Sequence, residues 1–228
     1  MAAGGWDWVR TYEPGSWLVV GSGLVALLGV LVDGVWRWTR NLVTIVHEGG
    51  HALVAVLTGR RLRGIRLHAD TSGLTLSTGR PTGPGMVATA AAGYLSPSLV
   101  GLVGVLLLAL DQVTVMLWAA AVVLLVMLVM VRYAYGVLAL LVTGAAVVAV
   151  SLLATADVQA AFGYAVTWFL LLAAVRPVWE LVRERRRNRA TDADALARLT
   201  RVPAALWVFV FGLATTAALA GGGWLLLS

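Results

Sequence analysis

The sequence contains no cysteine and no lysine, and charged residues make up only 12% of its 228 positions. Without cysteine, the chain cannot form disulfides, thiolate metal sites or a cysteine nucleophile. Soluble domains are about 25% charged and about 45–50% apolar, whereas 60% of this chain is hydrophobic. This composition excludes a water-soluble globular protein. Long runs of alternating apolar and polar residues are also missing, which excludes an outer-membrane barrel.

Apolar stretches rich in Leu, Val and Ala recur along most of the chain, each close to the roughly 20 helical residues that cross a bilayer core. Helices are the remaining way to satisfy backbone polar groups in hydrocarbon. The sequence therefore predicts an all-α polytopic membrane protein, a bundle of about six to seven transmembrane helices forming a single integral membrane domain over residues 1–228. No cleavage site follows the first span, so we expect that span to be retained. The predicted spans are residues 16–35, 41–58, 84–110, 113–131, 136–155, 161–181 and 203–227.

The polar connection at residues 59–83 has a pattern of its own. Apolar and polar side chains alternate on both sides of an Asp-Thr-Ser-Gly turn, and Leu74 and Leu76 alternate with Thr75 on the second side. This pattern predicts a small β-hairpin over about residues 64–78 with one apolar face.

All seventeen basic residues are arginines, and the net charge is +6. These arginines lie mainly in short connections between apolar spans, so we assign them to membrane topology and anionic lipid headgroups, and we expect no nucleic-acid partner. The excess of positive charge predicts that residues 59–83, 132–135 and 182–202 are cytoplasmic and that the C-terminus is outside. Arg37 and Arg40 conflict with this alternation. Either the 41–58 span does not fully cross the membrane, or the loop before it departs from the rule.

The 41–58 span contains the motif H-E-x-x-H, formed by His47, Glu48 and His51. Residues four apart lie on one face of a helix, so both imidazoles can reach a single Zn²⁺. Glu48, one residue on, can act as general base on a zinc-activated water. Zinc lowers the pKa of such a water to about 7.

This motif is specific. With three histidines and four glutamates in the chain, about 0.0007 chance matches are expected for a pattern that has a stated mechanism. Ionisable groups in an apolar span are costly and favour a functional interpretation. The alternatives are a buried polar cluster that holds helices together and a decayed site that no longer binds metal.

A hydrolytic zinc site needs a third protein ligand. Thr191 followed three residues later by Asp194 resembles a helix N-cap with an acidic partner. If Asp194 caps that helix, Asp192 is free to turn toward the metal, which makes Asp192 the first candidate and Asp194 the second. The alternative is that both acids only favour the positive end of the helix dipole. His68 and Asp70 are interpreted as exposed residues of the hairpin.

Residues 47–52 (HEGGHA), the Gly-rich hairpin after them and residues 92–98 (AGYLSPS) resemble the site-2 protease family of intramembrane zinc metallopeptidases, in its compact prokaryotic multi-pass branch. The resemblance covers about residues 41–210. It implies that zinc is bound by the two motif histidines and a later aspartate, with Glu48 as general base. The Asn-Pro-…-Asp-Gly motif of many members is missing, but Thr-Asp-Ala at residues 191–193 matches the compact branch.

The resemblance implies a zinc-dependent metalloendopeptidase that lies in the prokaryotic plasma membrane and cleaves membrane-embedded protein substrates. The oligomeric state is left open. The hairpin is expected either to offer an edge to which an extended substrate adds a strand or to be a plain structural loop. Two other functions are considered: a metal or ion transporter that uses His47, Glu48 and His51 as a transit site, and a non-catalytic scaffold with the same fold.

Overall fold

The computed structural model describes residues 15–228. Within them the chain forms eight helices and one two-stranded antiparallel hairpin. Residues 1–14, which the single-domain prediction includes, lie outside the described part. The elements are α1 (Ser16–Leu31), α2 (Asp33–Leu57), β1 (Arg61–Leu67), β2 (Gly73–Thr78), α3 (Pro84–Ala109), α4 (Val113–Met130), α5 (Ala134–Leu153), α6 (Ala156–Glu184), α7 (Asp192–Thr200) and α8 (Ala204–Leu227).

The all-α polytopic fold with a small hairpin is confirmed. Within residues 15–228, five helices (α3, α4, α5, α6 and α8) are each long and apolar enough to cross a membrane, and α1 with α2 reaches this standard only as a pair. Large apolar side chains on α4 and α5, such as Leu125, Val126 and Leu153, are exposed. This exposure is expected of helix faces that meet lipid rather than water.

The first two helices differ from the predicted spans. Residues 36–40 were expected to be a loop between the 16–35 and 41–58 spans, but α1 ends at Leu31, α2 begins at Asp33, and the two helices meet at a bend of 101°. The segment predicted as a loop therefore lies within the first two turns of α2. Its polar groups find partners on α6, which the sequence pattern did not show: Arg40 pairs with Glu180 at 3.2 Å, and the Trp36 indole donates to the same carboxylate at 3.0 Å.

Helices α2, α3 and α6 form the centre of the bundle, with α1 packed on α6 and α8 packed on both α3 and α6. Close approach of α2 to α3 depends on glycine. A Cβ on Gly50 would lie 1.8 Å from the Ser96 hydroxyl oxygen and 3.2 Å from the Ala92 carbonyl oxygen. Any side chain at Gly50 would therefore push α2 and α3 apart.

The hairpin is present where the sequence predicted it, although β1 begins three residues earlier, at Arg61. Its turn is closed by Asp70, whose carboxylate accepts hydrogen bonds from the Ser72 amide at 3.0 Å and the Ser72 hydroxyl at 2.6 Å. The outer edge of β1 is partly occupied, because Ile65 forms a parallel bridge with Val131. The hairpin is thereby fixed between α2 and the α4–α5 connection.

Candidate metal centre

The H-E-x-x-H motif lies in the middle of α2, on the side that faces α3 and α7. The Nε2 atoms of His47 and His51 are 3.1 Å apart, as one helical turn between them allows. Glu48 is buried, with 4% of its surface exposed, and its side chain points toward the hairpin.

The orientation of the third residue is set by the start of α7. Thr191 is the N-cap and forms a capping box with Asp194, as the sequence predicted. The Asp194 carboxylate accepts from the Thr191 hydroxyl at 2.6 Å and from the Arg185 guanidinium at 3.0 and 3.2 Å. Both carboxylate oxygens of Asp194 are therefore engaged in holding α7 to the end of α6.

Asp192, the first residue of α7, turns toward the imidazoles instead. Its Oδ2 atom is 3.3 Å from His47 Nε2 and 3.2 Å from His51 Nε2. Burial opposes ionisation of the Asp192 carboxyl, but hydrogen bonding to His47 and His51 outweighs burial and holds the pKa of this carboxyl below its usual range. Burial likewise acts against the charge on Asp194, and the hydrogen bonds from Thr191 and Arg185 lower the pKa of that carboxyl.

The three donor atoms fit a tetrahedral metal ion. Zinc–ligand distances of about 2.0–2.1 Å at tetrahedral angles place neighbouring donors about 3.3 Å apart, and the observed separations are 3.1–3.3 Å. Two imidazoles and one carboxylate are a donor set used in catalytic zinc sites, which keep a fourth position open. The fit rests on these distances and on the chemistry of the donors.

Two further contacts favour a metal over a simple hydrogen-bonded cluster. His51 Nδ1 lies 2.6 Å from the Thr89 carbonyl oxygen. A carbonyl can only accept, so Nδ1 carries a proton, and in the neutral imidazole Nε2 presents its lone pair to the cluster. On α3, a Cβ at Gly93 would lie 2.4 Å from His51 Nε2 and 2.5 Å from His47 Nε2. The space in front of both nitrogens exists because residue 93 has no side chain.

Aromatic packing holds the first imidazole in place. The His47 ring meets the Tyr94 ring edge to face at 4.9 Å, and Tyr94 stacks on Phe211 at 5.1 Å. The sequence analysis used Tyr94 only as part of the AGYLSPS motif and gave Phe211 no role. Their contribution depends on α3 and α8 lying side by side, which no local pattern indicates.

The other predicted residues lie elsewhere. His68 is in the hairpin turn, near Tyr133 and Ser72. Hydrogen bonds from Ser72 lower the pKa of the neighbouring Asp70 carboxyl. Within residues 15–228, His47, His51 and Asp192 are the one group of at least three His, Asp or Glu side chains arranged to hold a metal ion.

A helical membrane protein with an H-E-x-x-H helix facing a carboxylate from a distant segment has the architecture of a membrane-embedded peptidase. Residues 20–222 match the model of the Peptidase M50B-like family, and the chain belongs to that family. The match confirms the site-2 protease-like resemblance found in the sequence, and it supports a protease that lies in a membrane. The comparisons with curated proteins and with solved structures found no match.

Proposed function

We propose that this protein is an intramembrane zinc metalloprotease that hydrolyses peptide bonds of membrane-embedded protein substrates. One observation carries the proposal. Donor atoms of His47, His51 and Asp192, from elements 141 positions apart in the chain, converge to within 3.3 Å of one another beside a buried glutamate. Family membership supports the protease class.

In this mechanism His47, His51 and Asp192 would hold the zinc. When bound, it supplies Lewis-acid polarisation of the scissile carbonyl and activation of the attacking water. The Thr89 carbonyl keeps the His51 ring in the required tautomer and orientation.

Glu48 is the general base. Its carboxylate, in which Oε2 accepts a hydrogen bond from the Thr75 hydroxyl at 2.6 Å, takes a proton from the attacking water. The protonated carboxyl then passes a proton to the leaving amine. Burial of Glu48 and His51 keeps bulk water away from the reacting groups.

We further propose that the chain lies in the prokaryotic plasma membrane with residues 59–83 and 182–202 on the cytoplasmic side. The first of these connections carries Thr75, which contacts Glu48, and the second carries Asp192, which contacts both histidines. Two connections that border one site belong on one side of the membrane, and both are rich in arginine.

An extended substrate could add to the hairpin by strand pairing, as the sequence suggested. The bridge from Ile65 to Val131 uses part of the β1 edge. Within the described residues, the edge of β2 has no strand neighbour. We therefore propose that substrate would pair with the main-chain N–H and C=O groups at the β2 edge, a contact that does not use the side chains of the strand.

The test is made with detergent-purified protein. Zinc content and cleavage of a panel of transmembrane substrates are measured for the wild type, for Glu48→Gln and for Glu184→Gln, an exposed glutamate at the end of α6 that serves as control. We expect zinc in all three and cleavage by the wild type and Glu184→Gln only. Zinc binding without cleavage by the wild type would favour a scaffold. Zinc flux in proteoliposomes without cleavage would favour a transporter.

A further inference from the structure

We infer that the hairpin positions the general base, with Thr75 as the residue that fixes the Glu48 carboxylate. This inference rests on the proposed function. The Thr75 hydroxyl donates to Glu48 Oε2 at 2.6 Å and lies 3.1 Å from the Glu48 carbonyl oxygen. Among the described residues, Thr75 supplies the one side-chain hydrogen bond to the Glu48 carboxylate.

The face that β2 turns inward is the reverse of the one that its sequence indicates. Alternation predicted Leu74 and Leu76 on the apolar face, but the register pairs Thr75 with Ile65, whose side chain is fully buried. Directly paired residues point to the same face of an antiparallel sheet, so Thr75 faces the protein, and Leu74 is 47% exposed. A polar residue on the buried face is explained by the carboxylate that it meets.

Gly73, two residues before Thr75 on the same inward face, allows the strand to approach the Glu48 side chain closely. A Cβ at Gly73 would lie 2.5 Å from both Cγ and Oε1 of Glu48. The strand therefore approaches the carboxylate so closely that only glycine leaves room for it. The two oxygens of Glu48 have different surroundings: Oε2 accepts the hydrogen bond from Thr75, and Oε1 packs against Gly73, where a Cβ would otherwise stand.

The hairpin is aligned along α2 by a second anchor. The Thr44 hydroxyl donates to the Thr71 carbonyl at 2.9 Å. Thr44 and Glu48 are one helical turn apart on the same face of α2, and Thr71, Gly73 and Thr75 are spaced at every second residue. Two contacts one turn apart fix the register of the hairpin against the helix, which places the hydroxyl at the carboxylate.

The Thr75 hydroxyl is therefore expected to affect the orientation of the Glu48 carboxylate and not the binding of substrate. A fixed Oε2 leaves Glu48 Oε1 with one orientation, and proton transfer depends on such alignment. Loss of the hydroxyl therefore lowers kcat and leaves KM unchanged. Because this hydrogen bond is made to a charged group, its loss is expected to lower kcat roughly ten- to hundredfold.

The kinetic test compares three variants. Thr75→Val removes the hydroxyl at constant shape, Thr75→Ser keeps it, and Thr78→Val is the matched control, because Thr78 is on the same strand but is exposed and contacts Arg63 and the Arg61 carbonyl. We expect kcat to fall for Thr75→Val, with KM and zinc content unchanged. Thr75→Ser and Thr78→Val are expected to keep wild-type kcat. Equal kcat for Thr75→Val and Thr78→Val overturns the inference.

A second measurement does not depend on activity. The thermal unfolding midpoint of zinc-free protein in detergent is measured for Glu48→Ala, for Thr75→Val and for the double variant, and the cycle is repeated with Thr78→Val. We expect the losses at positions 48 and 75 to be non-additive and those at 48 and 78 to be additive. Additivity at 48 and 75 overturns the inference. Should Thr75→Val not fold, Thr75→Ala removes the same hydroxyl and enters both tests.

The two hypotheses fail in different ways. A wild type that cleaves no substrate overturns the proposed function, and the unfolding cycle then decides by itself whether Thr75 holds Glu48. Cleavage by the wild type together with an additive cycle keeps the protease and overturns the role of Thr75.

Discussion

The Oδ2 atom of Asp192 lies 3.2 Å from the Nε2 atom of His51, although 141 positions separate the two residues in the chain. The histidine is placed by the middle of α2 and the aspartate by the first turn of α7. The capping box between Thr191 and Asp194 fixes that first turn, and Arg185 ties it to the end of α6. A local helix-capping motif thus sets the direction of a side chain in the candidate metal centre.

Substitution of the two aspartates at the start of α7 is expected to separate zinc binding from folding stability. Asp192→Ala removes a donor atom and should abolish zinc binding while the protein stays folded. Asp194→Ala breaks the capping box and the contact with Arg185, which should lower the free energy of unfolding by about 1–2 kcal/mol and reduce zinc affinity less. Zinc content and thermal unfolding in detergent check both. Greater zinc loss in Asp194→Ala than in Asp192→Ala would show that the wrong carboxylate had been chosen.

Gly93 is expected to be intolerant of even a methyl group. Gly93→Ala would place a Cβ 2.4–2.5 Å from the two Nε2 atoms, so the metal position would be filled and zinc content should fall to background. Gly144→Ala on α5 is the control, because a Cβ there meets nothing within 4 Å. It should keep zinc and be neutral or slightly stabilising, since alanine favours a helix over glycine. Full zinc occupancy in Gly93→Ala would contradict the proposed ion position.

Zinc is expected to stabilise the bundle, because it links α2 to α7. A ligand that binds only the folded state raises stability by about 2.7 kcal/mol at a concentration 100 times its Kd. Chelation should lower the unfolding midpoint of the wild type, and zinc should restore it. His47→Ala should have the same midpoint with and without zinc. A chelator effect of equal size in His47→Ala would place the stabilising ion somewhere else.

The bend between α1 and α2 is expected to depend on Arg176 of α6. Its guanidinium forms an ion pair with Asp33, donates to the Val30 carbonyl, and lies 4.7 Å over the Trp36 ring. Arg176→Gln should cost about 1–3 kcal/mol, because it removes the donor to the carbonyl of the buried Val30, whereas the ion pair with the exposed Asp33 contributes little. Arg183→Gln, an exposed position on the same helix, should be neutral. Equal unfolding midpoints for the two variants would mean that the bend does not rely on this contact.

Much of the fold could be predicted from sequence patterns that span only a few residues. Apolar stretches of membrane length gave the helical class, period-two alternation gave the hairpin, and the spacing of Thr191 and Asp194 gave the capping box. Each of these features depends on residues a few positions apart, whose geometry is set by backbone periodicity. The H-E-x-x-H pair belongs with them, because one turn of helix brings both imidazoles to one face.

Other features needed contacts between distant segments. Residues 36–40 were expected to form a loop, because their charges interrupt an apolar pattern. They lie in the first two turns of α2, where α6 supplies partners for Arg40 and Asp33. The inward face of β2 was misjudged for a related reason. Leu74 faces outward and Thr75 faces the buried Glu48 carboxylate, and a partner on another element leaves no mark in the alternation along the strand.

The sequence by itself determined that this chain is a helical membrane protein with a histidine pair and a glutamate on one helix, because composition and helical spacing act over short distances. Only the tertiary structure decided that Asp192 points to those histidines, that Gly93 leaves space in front of them and that Thr75 touches Glu48. Each of those relationships depends on how separate elements pack, and packing brings together residues whose distance along the chain says nothing about their distance in space.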